Sequence, residues 1–346
     1  MSSTFHRLVA AATLCATFAA TSALALPFGS KDKEASAKIT HGGAFKGKSA
    51  FALGAFRVSF ITEDKVTSVA KGMLSGGGGA SSLMSGTLVG VDHALMQKIT
   101  DAIYADFLKQ AAAKGYTVTE STQLAQNSAS YKAMATATNF SEGRLGTIVI
   151  PTGQTSVPLP ADNSAKLDKG AQGFMSGFKN LGNQMATAEA NKAFPAAAKE
   201  SGTPILGVTI VVNFADFKGY TSTFGSSAKA TIMPGATIEG TPKGQIISST
   251  SILGWDGNTP TCANCESEVI LENMVHSTES IGALDSHSNM KTGDYIANGI
   301  GALGGVGVSN KRGATITADP VAYEKNVLIV AAQATDLLLS AIAKEK

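Results

Sequence analysis

Tryptophan occurs once, at Trp255, and aromatic residues make up only 6% of the chain. Stacking platforms for bases or sugar rings need such residues in number, so that class of surface is excluded. Charge is scarce as well: 16% of residues are charged, and the net of +2 gives nucleic acid no field to follow. No nucleic-acid partner is expected. The five histidines, His6, His41, His93, His276 and His287, show no H-E-x-x-H pairing, and no G-x-S-x-G elbow occurs. Carboxylates such as Asp285, Asp294 and Asp319 read as scattered in loops. The chain is therefore expected to carry no cofactor, no metal and no catalytic residues.

Past the first 25 residues no segment is apolar for the roughly 20 residues that a membrane-spanning helix requires, so any membrane contact is expected to be peripheral. The amino terminus itself has a short apolar run, Leu8 to Ala20, behind Arg7 and ahead of the small-residue triplet Ala23-Leu24-Ala25. That order is a secretory signal peptide over 1–25 with cleavage after Ala25, and it places the product in the periplasm or outside the cell. Cys15 is preceded by Leu14, where lipid attachment needs a small residue, so a lipoprotein is excluded.

What the chain does have is bulk: with 346 residues and 44% hydrophobic content it can bury a sizeable core. Its 37 glycines, with much Ala, Ser and Thr, imply close packing and long polar loops. One glycine-rich stretch, G-G-A-F-K-G-K-S at Gly42–Ser49, fits the P-loop pattern G-x-x-x-x-G-K-[ST]. A working P-loop follows a buried strand and opens a helix, so that backbone N–H groups converge on phosphate. Here a polar, unpatterned stretch precedes the motif and a strand-like one follows it. No nucleotide is expected, and 26–48 reads as a flexible, mildly basic lead-in.

The remainder, 49–346, reads as a single α/β domain with Gly-rich loops at 72–90 and 152–183. A strand with a bulge at Gly54 is expected over Ala50 to Ile61. Val91, Leu95, Ile99, Ile103 and Phe107 mark a helix over 91–114, with Asp92 as N-cap and Gly115 as its stop. A strand at Tyr116 to Thr119, a helix at Leu124 to Ala137 and a strand at Leu145 to Ile150 follow, a βαβαβ order that implies parallel pairing. Beyond a helix over 186–200 that tolerates Pro195 as a kink or break, Ile205 to Phe214 is the most strand-like run, and short β-prone segments after it imply antiparallel strands. Asp319-Pro320 opens a closing helix with the stripe Val321, Leu328, Ala332, Leu339 and Ile342. The fold class is thus α/β: a mixed sheet, parallel in the first half and antiparallel in the second, flanked by helices.

Two features invite a functional reading. Cys262 and Cys265, the cysteines left after cleavage, fit a zinc site, a redox pair or a local disulfide. A disulfide pinning a loop in an oxidising compartment is the expected outcome, because no helix is expected after Cys265. The stretches Ser75–Gly90 and Gly293–Ser309 mix glycine with apolar residues. Ile296, Ile300, Leu303, Val306 and Val308 either lie in a loop buried against the core or form a contact surface for membrane, partner subunit or apolar ligand.

The strand at Ala50 to Ile61, the helix TLVGVDHALMQKITDAIYADFLKQAAAKGYTV and the late strand ILGVTIVV together resemble the α/β domain of periplasmic assembly proteins. Examples are the curli-secretion lipoproteins and the amino-terminal domain of the Tol-Pal propeller protein. The resemblance implies binding and assembly in the envelope rather than catalysis. The expected function is that of an exported, non-enzymatic envelope protein that associates with a partner or with itself; a periplasmic carrier of a small apolar ligand and an uncharacterised hydrolase are the alternatives.

Overall fold

A computed structural model describes residues 35–70, 80–142, 147–157, 159, 191–222, 225–236, 250–260, 266–272, 275–277, 279–288 and 308–346. At its centre, β2 (Ala50–Phe60) lies parallel to the start of β8 (Ile205–Ser222), with a register shift between Leu53 and Ala55. That is the bulge expected at Gly54, where a Cβ would collide with Ile205 and the Phe194 ring. A ten-stranded sheet grows outward from this pair. On the β8 side come β10 (Ser251–Trp255), β11 (Ser267–Leu271) and the edge strand β1 (Ala37–Thr40), each antiparallel to its neighbour. On the other side β2 pairs with β5 (Thr117–Thr119) at its start and with β7 (Thr147–Val149) at its end, and β6 (Phe140–Glu142) closes that edge.

Helices cover both faces. Along β2, Leu53, Phe56, Val58 and Phe60 join a hydrophobic cluster with α1 (His93–Ala113) and α5 (Pro320–Ala343). Ala52 and Ala55 join a second cluster with α2 (Ser121–Asn127), α3 (Ala129–Lys132) and α4 (191–201), around the Phe194 and Trp255 rings. The mixed α/β architecture is therefore present. Helix α1 follows its sequence pattern: Asp92 accepts a hydrogen bond from Leu95 N, Ile99, Ile103 and Phe107 are buried, and Gly115 takes a positive φ of 76°.

Several expectations need correction. Strand β7 runs antiparallel to β2, because the chain first forms β6 and turns back through a hairpin. The helix expected over 124–137 starts at Ser121 and breaks at Ser128, whose hydroxyl caps α3. Val321, counted in the apolar stripe of α5, is 77% exposed, since the buried face runs through Tyr323, Val327, Val330 and Leu338. Residues 35–48 do not form a loose lead-in: β1 pairs with β11, and the fully buried Phe45 ring sits in the space left by Gly254. Within the loop expected at 152–183, Val157 and Leu159 are core residues; 160–183 lie outside the described residues. The loop expected at 72–90 contains β4 (Ala80–Val89), a ten-residue strand with neighbours on both sides. Those two ladders outweigh the low strand preference of its serines and glycine.

Beyond the core, β3 (Glu63–Ala70), β4, β14 (Val308–Ala318) and β13 (Gly282–Ser288) form a second, four-stranded sheet. Among the described residues, the final ten of β8, Asn213–Ser222, pair only with β9 (Gly225–Ala236), whose end also meets β12 (Val275–His276).

Candidate functional site

The expected site residues divide sharply. Cys262 and Cys265, and Ile296, Ile300, Leu303 and Val306 of the proposed contact surface, lie outside the described residues. Val308 is described and is no loop residue: it begins β14, with Ala80 as its register partner. Asp285 belongs to β13, and Asp319 is the N-cap of α5, accepting from Ala322 N. At the P-loop match a strand does precede the motif, the edge strand β1, where an unpatterned stretch was expected; Gly42–Ala44 form a single 3-10 turn, and β2 rather than a helix starts at Ala50. His93 opens α1 with its ring stacked on Phe140, 4.8 Å between centroids.

The described polar side chains of the core serve to tie the chain together. Glu120 accepts from Tyr104 Oη (2.9 Å) and Gln154 Nε2 (2.7 Å), and Gln154 Oε1 accepts from Ser121 Oγ. Burial and the Glu120 carboxylate beside it push the Tyr104 phenol well above its usual range. Tyr131 Oη donates to Gly54 O at the β2 bulge, and burial pushes that phenol up to about 12. Both tyrosines stay protonated as hydrogen-bond donors, so neither is poised as a base at neutral pH. Arg57 is buried in the middle of β2, its Nε donating to Thr209 Oγ1 of β8 (3.1 Å). Glu200 of α4 accepts from the Ser128 and Ser130 hydroxyls and Ser130 N, which holds its carboxyl below the ordinary value.

At the β1–β11 edge the electrostatics are less comfortable. Burial and the nearby Glu266 carboxylate raise the Glu268 carboxyl, while His41 works in the opposite direction. His41 itself adopts a left-handed backbone, φ 54°, the single positive-φ residue other than glycine among those described. No group of three or more His, Cys, Asp or Glu side chains suited to a metal occurs among the described residues.

The most unusual geometry lies at the end of the core where β2 and β8 finish. Because these strands are parallel neighbours, with Phe60 opposite Val212, both leave the core at the same end. There Ile61 N donates to Val212 O (2.9 Å), and the chain continues into β3. Strands β4 and β14 return in parallel to that level, with Thr317 opposite Val89, and lead into α1 and α5. Strand β13 departs from the same place, where Asp319 N donates to Ile281 O (2.8 Å). Three hairpins, β3–β4, β8–β9 and β13–β14, thus project from one end of the core. The part of β8 past Val212 spans about 30 Å at about 3.3 Å per residue.

The neck of this projection is tight. A Cβ on Gly282 would stand 2.0 Å from Thr317 O, and Gly90 combines a φ of 87° with an approach of 2.9 Å to Ala318 O. Both glycines are required by close backbone contact rather than by loop freedom. In β8 a register shift falls between Asn213 and Ala215 at the same level, with Asn213 Oδ1 accepting from Phe214 N. Sequence reading missed the hairpins because β3, β4 and β13 have little apolar alternation. The signal that was available is a recurrence of strand, glycine-rich segment and strand.

No family model matches the chain, and neither a curated protein nor a solved structure matches it.

Proposed function

We propose that this chain is an exported, non-enzymatic protein of the cell envelope that acts by binding and assembly, with another envelope protein or copies of itself as partner. One observation carries the reading: a core with helices on both faces sends three β-hairpins out from a single end. Such a form presents strands to a partner instead of enclosing a substrate. The polar networks around Glu120 and Glu200 support it, since their hydrogen bonds are spent on joining α1, α2, α3 and α4 to the sheet and to each other. The resemblance of the Thr87–Val118 and Ile205–Val212 segments to periplasmic assembly domains points the same way. Export rests on the expected signal peptide, 1–25.

Cell fractionation followed by amino-terminal sequencing tests the compartment: the envelope or secreted fraction should yield a product beginning at Leu26. An intact Met1 in the exported product contradicts it. The mode of action is tested by trimming the three hairpins, replacing 65–85, 215–233 and 287–313 each with Asn-Gly, a sequence suited to a tight hairpin turn. Capture of envelope proteins or of sister copies should be lost while the core stays folded. Undiminished capture by the trimmed protein would place binding elsewhere.

A further inference from the structure

The four-stranded sheet has the order β13-β14-β4-β3, and no described strand pairs with the outer edge of β3 or of β13. Each edge presents a row of backbone N–H and C=O groups, which templates pairing with another chain. The two edges match in two respects. Strand β3 has eight residues and β13 has seven. They also run in one direction, because β13 is antiparallel to β14, β14 is parallel to β4, and β4 is antiparallel to β3.

We infer that the partner is a second copy of this chain, joined head to tail by pairing of β3 in one copy with β13 in the next. Pairing of like edges across a two-fold axis would satisfy one edge and leave the other open. The head-to-tail contact satisfies both with one interface and repeats from copy to copy, so a ring forms if the rotation closes. The new pair is parallel, as is the β14–β4 pair inside each copy. The inference rests on the assembly reading above but not on export, so a multimer found in a chain that stays in the cytosol would separate the two.

The mature chain should sediment as a multimer. Along a strand, successive residues direct their N–H and C=O groups to opposite edges, so of Thr67→Pro and Ser68→Pro one removes an outward donor and the other breaks the β3–β4 ladder. The outward variant should shift the protein to monomer with its circular dichroism unchanged, and the same holds for one of Asp285→Pro and Ser286→Pro. Cysteine trapping resolves the geometry without relying on prolines. In a Cys262→Ser, Cys265→Ser background, Lys65→Cys combined with Asp285→Cys or His287→Cys spans a stagger of two residues or none, and oxidation should give a ladder of covalent multimers. Each single cysteine variant should remain uncrosslinked. Dimers formed by Lys65→Cys alone would show two-fold pairing of like edges and overturn the inference. So would a wild-type monomer at all concentrations, or a multimer that none of the four prolines dissolves.

Discussion

The α/β core and the three hairpins are built from different material. In the core, Phe56, Val58 and Phe60 of β2 alternate with Arg57 and Ser59, and both hydrophobic clusters are closed by helices, with Asp92 and Asp319 capping α1 and α5 on the first and Ser128 capping α3 on the second. In the hairpins, β4 reads ASSLMSGTLV and β13 reads GALDSHS, sequences with few large apolar residues, and Leu88 at the core end of β4 joins the core cluster. Burial of apolar area sets the core, at roughly 25 cal/mol per Å². Backbone ladders join the strands of the hairpins, and the four-stranded sheet has β3 and β13 as its outer strands. On the proposed reading the core is complete in one chain, whereas the open edges of the hairpin sheet take another strand.

The same substitution made in both regions should break them unequally. Leu206→Ala, at a position 1% exposed between β2 and β10, should cost about 2–5 kcal/mol in urea unfolding. Truncation to Ala at Val89 of β4, 41% exposed and opposite Thr317, should cost less than about 1 kcal/mol. Equal losses would mean that the hairpins carry a core of their own.

Gly282→Ala tests the neck, where the added carbon meets the backbone at Thr317 and Ala318 and no side chain can yield. A loss of about 1–3 kcal/mol is expected, with amide exchange in β13 and β14 accelerating more than in β8 and β10. Smaller again is Asp319→Ala, which removes the cap from Ala322 N and should cost about 1 kcal/mol, read as a lowered melting temperature.

The smallest effects concern pH within the core. The Glu268 carboxyl is raised in the folded state, so its contribution is present below the ordinary carboxylate range and is lost as pH rises through the raised value. Glu268→Gln should therefore be more stable than wild type at neutral pH, with the difference fading under acid conditions. Glu200 has the opposite sign: its carboxyl is lowered, and its contribution is lost as pH falls. Melting temperatures of Glu200→Gln and wild type should converge as pH falls. Parallel pH profiles for both variants would contradict the assignment.

How much was legible in the sequence follows the same division. The four-residue recurrence from Val91 to Phe107, the Asp92 and Asp319 caps and the bulge at Gly54 were readable because each depends on near neighbours or on a strong apolar period. The reversal of β7 was hidden by the three-residue strand β6, too short for any period to register. Strand β1 and Phe45 were hidden because their partners, β11 and Gly254, lie more than 200 residues away in the chain. Strand β4 was hidden by its composition, since its ladder partners override its weak preference. Of the candidate contact residues only Val308 falls within the described structure, and the feature that now carries the functional reading, the joint departure of three hairpins, arises from topology alone.

The most direct measurement is sedimentation velocity on the chain from Leu26 onward beside a version in which 65–85, 215–233 and 287–313 are each replaced by Asn-Gly. On the proposed reading, with the core complete without its hairpins and association residing in them, the full chain should sediment as a multimer and the trimmed chain as a folded, cooperatively melting monomer. Monomers in both cases, or multimers in both, would contradict the division of labour between core and hairpins.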